Sequence, residues 1–164
     1  MPRILPCVSV PALLLAVVFM AGCSGAQTRR RRAPQPVPPL AKAVLRTARS
    51  YLPEEERHRR TPKDCSDFVR SVFSEHGIGL PRTSQEMSLR GERVYSSRDL
   101  RMGDLVFFSG EKVSRIVGHV GIYVNNGIFI HFPNTGQVVM ESMHSDYYRR
   151  RYLTGRRVIA GAGG

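Results

Sequence analysis

Three residues carry the clearest chemistry in the sequence: Cys65, His119 and His131. Cys65 stands in Asp64-Cys65-Ser66-Asp67, directly ahead of a helical apolar face formed by Val69, Val72 and Phe73. Asp64 is therefore a natural N-cap, and the thiol falls in the first helical turn, where unpaired amides and the helix dipole favour an anion. A thiol so placed is expected to ionise nearer neutral pH than a free one, and the same amides suit the oxyanion formed when a thiolate attacks a carbonyl. Asp64 and Asp67 oppose that ionisation by their charge, so a neighbouring imidazolium has to outweigh them. A well-capped structural helix is the alternative; it explains the aspartates and leaves the thiol without a role.

What the histidines can do depends on a hairpin register. Residues 119–124 and 128–132 read as two strands joined through Asn125-Asn126-Gly127. A two-residue Asn126-Gly127 turn pairs Ile122 with His131 and puts the histidines on opposite faces. A three-residue loop, a type I turn closed by Gly127 in a bulge, pairs Gly121 with His131 and puts them on one face. The apolar pattern chooses the second register, because only there do Val120, Ile122 and Val124 oppose Phe132, Ile130 and Ile128. Diagonal neighbours lie roughly 7 Å apart, within reach of two imidazoles, and Gly121 is expected to leave room beside His131 for a nucleophile or substrate. His119 then suits a base that takes the thiol proton and returns it to a leaving amine, with His131 bonding its far nitrogen and fixing its tautomer. Zinc is a rival use of the pair, but no close cysteine, His-Glu-x-x-His run or third ligand accompanies it, so no metal site is expected. His58, His76 and His144 are assigned to a loop, a helix end and a strand end.

Around these residues the periodicity predicts helices over 39–52 and from Cys65 to the His76-Gly77 stop, with a charged loop at 54–63 between them. Thr83 and Glu86 have capping-box spacing, which predicts a short helix over 84–90. Strands follow at 105–108, 117–124, 128–132, 138–140 and 158–159, with one helical turn at 145–151. Helices first and consecutive strands after argue for an α+β domain with N-terminal helices packed on an antiparallel sheet. With 164 residues the chain has room for one such core, placed at 39–160, followed by a flexible tail at 161–164.

The N-terminal segment has the layout of a secretory signal over 1–22: a basic start, an apolar run too short to span a bilayer, which takes about 20 residues, and small residues at its end. Met20-Ala21-Gly22-Cys23-Ser24 resembles a bacterial lipobox, which implies cleavage before Cys23 and lipid on its sulfur; an ordinary secreted protein is the alternative. Ser24 after that cysteine favours an outer membrane facing the periplasm if the cell is Gram-negative. Cys7 leaves with the signal and Cys23 takes lipid, so Cys65 is the remaining thiol of the three cysteines. The formal charge of +12 seeks anions. Residues 23–38, with Arg29 to Arg32 and the prolines Pro34, Pro36 and Pro38, read either as a stiff tether near an anionic surface or as a solvated linker. For an exported chain, a membrane and peptidoglycan carboxylates are the expected partners, no nucleic acid is expected, and the chain reads as a monomer.

Asp64-Cys65-Ser66, Pro81-Arg82-Thr83-Ser84, Gly103-Asp104-Leu105-Val106-Phe107-Phe108, His119-Val120-Gly121-Ile122-Tyr123 and Ile130-His131 occur in an order and spacing that resembles the NlpC/P60 family of cysteine peptidases. The resemblance implies a papain-like α+β fold, a Cys-His-His set of Cys65, His119 and His131, a substrate groove lined by Asp64, Ser66, Arg82 and Ser84, and no cofactor. It also implies cleavage of peptide bonds in peptidoglycan stems next to D-γ-glutamyl residues. Arg82 suits a stem-peptide carboxylate chemically, and a fold-stabilising arginine is the alternative. Asp67 departs from the glycine usual there, and residues 54–60 replace an aromatic-Gly-Gly segment of the family. The competing functions are an amidase or acyltransferase with the same thiolate chemistry, and a non-catalytic peptidoglycan-binding lipoprotein.

Overall fold

The first helix, α1 (Pro39–Arg49), starts on a proline at its first turn, where the missing N–H costs nothing, and buries Ala41, Val44, Leu45 and Ala48 at helical spacing. The structure is a computed structural model that describes residues 36–53 and 60–159. All of these belong to the unit Gln35–Gly164, as distinct from Met1–Pro34. Cys23, residues 23–35 of the tether, His58 and the tail at 161–164 lie outside the described residues. The helix predicted over 39–52 ends at Arg49. Tyr51 and Leu52 make tighter bonds three residues back, to Ala48 and Arg49, because the chain must leave helical geometry ahead of Pro53.

Helix α2 (Cys65–Ser74) is capped by Asp64, which accepts from the Asp67 amide at 2.8 Å. It closes through Gly77 at φ 73, with Ile78 N bonding Phe73 O. His76 Nε2 lies 2.9 Å from Thr47 Oγ1 and ties this end to α1. Helix α3 (Ser84–Met87) carries the predicted Thr83–Glu86 capping box and stops short of Arg90.

Six antiparallel strands follow: β1 (Glu92–Val94), β2 (Leu105–Ser109), β3 (Val117–Asn125), β4 (Ile128–His131), β5 (Val139–Ser142) and β6 (Tyr152–Arg157), with α4 (Asp146–Arg151) before the last. Their spatial order is β1-β6-β2-β3-β4-β5. Two strands differ from those expected. The strand β1 is three residues long and mostly exposed, too short and polar to show a period. The last strand is β6, ending at Arg157, where a strand at 158–159 was expected from the apolar pair Val158-Ile159. Arg157 can lie within the sheet because its guanidinium bonds Asp104 at 2.9 and 2.7 Å, and the pair is nearly buried.

One sheet face packs Leu105, Phe107, Val120, Ile122, Val124 and Ile130 against α1 and α2; the other packs Val106, Phe108 and Phe129 against Tyr148 of α4. The hairpin between β3 and β4 makes this division possible. Asn126 (φ 47) and Gly127 (φ 77) both adopt left-handed conformations, the pattern of a two-residue type I′ turn, and Asn125 pairs with Ile128. Alone, that turn would set His131 opposite Ile122. Val124 is an extra residue, a bulge that resets the pairs to Tyr123 with Phe129, Ile122 with Ile130 and Gly121 with His131. The expected register is present, and the expected three-residue loop is not. The bulge keeps Val124 buried with Ile122, and Asn-Gly reaches its two left-handed positions with little strain.

Gly121 does not leave room for a substrate. A Cβ there would come within 2.6 Å of Phe129 Cδ2 and 3.0 Å of the Ile130 carbonyl. The space belongs to the Phe129 ring, which stacks on His131 at 4.5 Å. Gly121→Ala is expected to displace that ring and to destabilise the fold by about 1–3 kcal/mol, as overpacking of a filled core does; urea denaturation midpoints of the two proteins check this.

Candidate active site

Cys65 is the first residue of α2 and half-buried. Three backbone amides point at its sulfur and favour the thiolate: that of Val120 on β3, that of Ser66 and its own. Burial outweighs them and pushes the thiol up from its ordinary value, with the Asp64 charge adding to the rise. This corrects the expectation of a thiol ionising near neutral pH. Capping geometry supplies the amides, but the removal of water from the sulfur is a property of the assembled fold.

Asp67, expected to add charge beside the nucleophile, is turned elsewhere. Its side chain is buried and accepts from the Lys63 amide and from Arg60, each at 2.9 Å, with Arg70 at 3.6 Å. Those partners outweigh burial and hold its carboxyl below the ordinary range. Asp64 is the acid whose charge reaches the thiol. It accepts hydrogen bonds from both terminal nitrogens of Arg82 and from Ser66 Oγ at 2.7 Å. Arg82 Nη1 also donates to Ser66 Oγ at 2.8 Å. The Arg82 bond is the main cause holding the Asp64 carboxyl well below the usual carboxylate range. Asp64, Ser66 and Arg82 thus form one cluster at the N-terminus of the nucleophile helix. Ser84 opens α3 two residues beyond Arg82 and is half-buried.

His119 sits on β3 next to a second bulge. Phe108 pairs with His119 and Ser109 with Val117, so Gly118 is the extra residue. A Cβ on Gly118 would come 2.6 Å from the Gly110 nitrogen, so the two backbones touch where the strand delivers the histidine. His119 Nε2 lies 2.8 Å from His131 Nδ1, with the rings edge to face. His131 is wholly buried, stacked on Phe129 and edge-on to Tyr148.

The far nitrogen of His131, Nε2, lies 2.7 Å from Glu141 Oε2 on β5. Glu141 lies one residue past the strand expected at 138–140, within a strand that runs on to Ser142. A carboxylate just past the strand was the available signal, and only the pairing of Phe129 with Glu141 puts it diagonally beside His131. Burial, with a contribution from His131, pulls His119 down to about 3. Burial also lowers His131, against the opposing pull of Glu141. Both imidazoles therefore rest neutral at pH 7, the state in which one can accept a proton. Among the described residues no group of three His, Cys, Asp or Glu side chains is placed to hold a metal ion.

A thiol at a helix N-terminus, reached by the Val120 amide of the strand that also carries the hydrogen-bonded His119, defines a cysteine–histidine domain of the α+β class. The sequence profile of the NlpC/P60 family matches residues 55–157, and the chain belongs to that family. Over 98 residues it is 41% identical to the protein named murein DD-endopeptidase MepS/murein LD-carboxypeptidase of Escherichia coli K12, covering 59% of this chain and 50% of that one. Over 103 residues it is 41% identical to murein DD-endopeptidase MepH of the same organism, covering 61% and 38%. A crystal structure of an NlpC/P60 family protein from Bacillus cereus superposes with a TM-score of 0.64 at 28% identity, over 76% of this chain and 42% of that one. The chain spans about half the length, or less, of these curated relatives.

With the thiol raised and both histidines neutral, Cys65 in the resting protein is expected to be a thiol at pH 7. Its alkylation by iodoacetamide should climb with pH through and beyond the ordinary thiol range of about 8.5. A plateau reached near neutral pH would show a preformed thiolate instead.

Proposed function

We propose that this chain is a cysteine endopeptidase that hydrolyses peptide bonds in peptidoglycan stem peptides. The observation that carries the reading is the hydrogen-bonded pair His119–His131, delivered by the hairpin whose Val120 amide, next to His119 in the chain, reaches the Cys65 sulfur. The S–H proton passes to neutral His119 as the sulfur attacks the scissile carbonyl, so no charge has to wait in the buried site. The amides that face the sulfur lie close to where the tetrahedral oxyanion develops. His119 returns the proton to the leaving amine, an acyl-enzyme forms on Cys65, and water attacks it with His119 again as base. The cluster of Asp64, Ser66 and Arg82 flanks the nucleophile, with Ser84 beyond it, and in this reading its guanidinium meets a stem-peptide carboxylate.

The family resemblance supports a bond next to a D-γ-glutamyl residue. A second reading, a D,D bond, is favoured by the names of the two Escherichia coli relatives, both DD-endopeptidases. The same proposal carries a lipid anchor on Cys23 and a place in the cell envelope, at an outer membrane facing the periplasm if the cell is Gram-negative, supported by the lipobox-like residues Met20 to Ser24.

Digestion of purified muropeptides by the full chain beside Cys65→Ala, with products weighed by mass spectrometry, tests the reading. New fragments made only by the intact protein are expected, and their masses name the bond. Binding without cleavage over a broad muropeptide panel would instead identify a non-catalytic wall-binding protein. The intact mass of the mature protein purified from bacterial membranes should show a diacylated or triacylated Cys23, and an unmodified Cys23 would remove the anchor.

A further inference from the structure

Two short contacts make one line: Glu141 Oε2 to His131 Nε2 at 2.7 Å, and His131 Nδ1 to His119 Nε2 at 2.8 Å. The line has a direction. An ionised carboxylate only accepts, which makes Glu141 the acceptor end. His131 must then carry its hydrogen on Nε2. A neutral imidazole has one N–H, so its Nδ1 is bare and can only accept. The facing His119 Nε2 must therefore hold a hydrogen, which leaves His119 Nδ1 as the nitrogen with a free lone pair.

We propose that Glu141 is a positioning residue that fixes the tautomers of both histidines and so makes His119 Nδ1 the atom that receives the Cys65 proton. Between two neutral imidazoles the hydrogen can sit on either side. In the reversed arrangement His131 Nδ1–H donates to His119 Nε2, the His119 hydrogen moves to Nδ1, and no free lone pair remains for the thiol. The carboxylate breaks that symmetry from two residues away. In the forward step the S–H bond breaks, an Nδ1–H bond forms, and the sulfur electron pair goes to the carbonyl carbon. His119 keeps Nε2–H bonded to His131 throughout, and the Glu141 charge faces the cation that forms. Tyr148 packs edge-on against His131 and helps fix the plane of its ring. Glu141 is about half exposed, so water can partly replace it and the effect of its loss is bounded.

This inference rests on the thiol–histidine reading of the site, and its experiment separates the two. Long-range proton–nitrogen NMR of the imidazole rings in the free protein reads the tautomers without substrate; kcat and KM on a cleaved muropeptide read the consequence. In the wild type both rings are expected as Nε2–H tautomers. In Glu141→Ala, His119 is expected to show Nδ1–H in a substantial share of molecules, with kcat down about ten- to a hundredfold, the range typical for loss of an outer-shell partner, and KM within about twofold. Glu141→Gln, nearly isosteric, keeps the test open if the alanine variant does not fold; it is expected to move both readouts in the same direction by less. Wild-type His119 with its hydrogen on Nδ1, or tautomers unchanged in the variants, would overturn the proposal whatever happens to turnover. A kcat within twofold of wild type in Glu141→Ala would overturn it as well. Failure to cut any muropeptide would count against the proposed function alone, with the ring tautomers still deciding the role of Glu141.

Discussion

The contact between His119 and His131 exists because Val124 is an extra residue in β3. Asn126-Gly127 forms the tight turn that its residues favour, and that turn carries the wrong register for the histidines. One bulge corrects it, and the correction serves two needs together. The face of Val120, Ile122, Val124 and Ile130 stays sealed against α1 and α2, while His119 and His131 come to share the opposite face. A one-residue slip would exchange the faces, exposing the core and separating the rings. Stability of the sheet and assembly of the site are therefore one constraint, and hydrophobic burial, the larger of the two free-energy terms, enforces both.

Burial also sets the electrostatics. It raises Cys65, lowers His119 and lowers His131, each as the leading cause. The helix N-terminus and three amides act the other way on the sulfur without winning. With these shifts the Cys65, His119 and His131 side chains rest uncharged and separate charge only as the reaction proceeds, when the amides and Glu141 are already in place. Charges that would disturb this state are compensated locally. Asp64 is bonded by Arg82 and Ser66, and Asp67 by the Lys63 amide and Arg60.

What was legible in the sequence follows from the range over which each force acts. The Asp64 cap, the Thr83–Glu86 capping box and the face of α1 are set within one or two helical turns, and they could be read directly. The histidine register was legible from alternation, although the turn that produces it was not, since a bulge leaves no mark in a period-two pattern. The strand β6 was hidden because its polar end is stabilised by the Arg157–Asp104 pair, residues 53 positions apart. Glu141 was hidden for a similar reason: its place depends on the pairing of β4 with β5, and the connection between them carries no periodic signal. The raised thiol could not be read from capping rules, which describe neighbours along the chain and not the removal of water in the assembled fold.

The most direct test of this account is the nitrogen–nitrogen scalar coupling across the hydrogen bond between the two rings, measured by NMR on protein labelled in its histidines. A resolved coupling between His119 Nε2 and His131 Nδ1 in the free protein is predicted, because the bulged register brings these atoms within 2.8 Å. No coupling, with both rings exchanging freely with water, would mean that the hairpin does not assemble the pair and that the site is built in some other way.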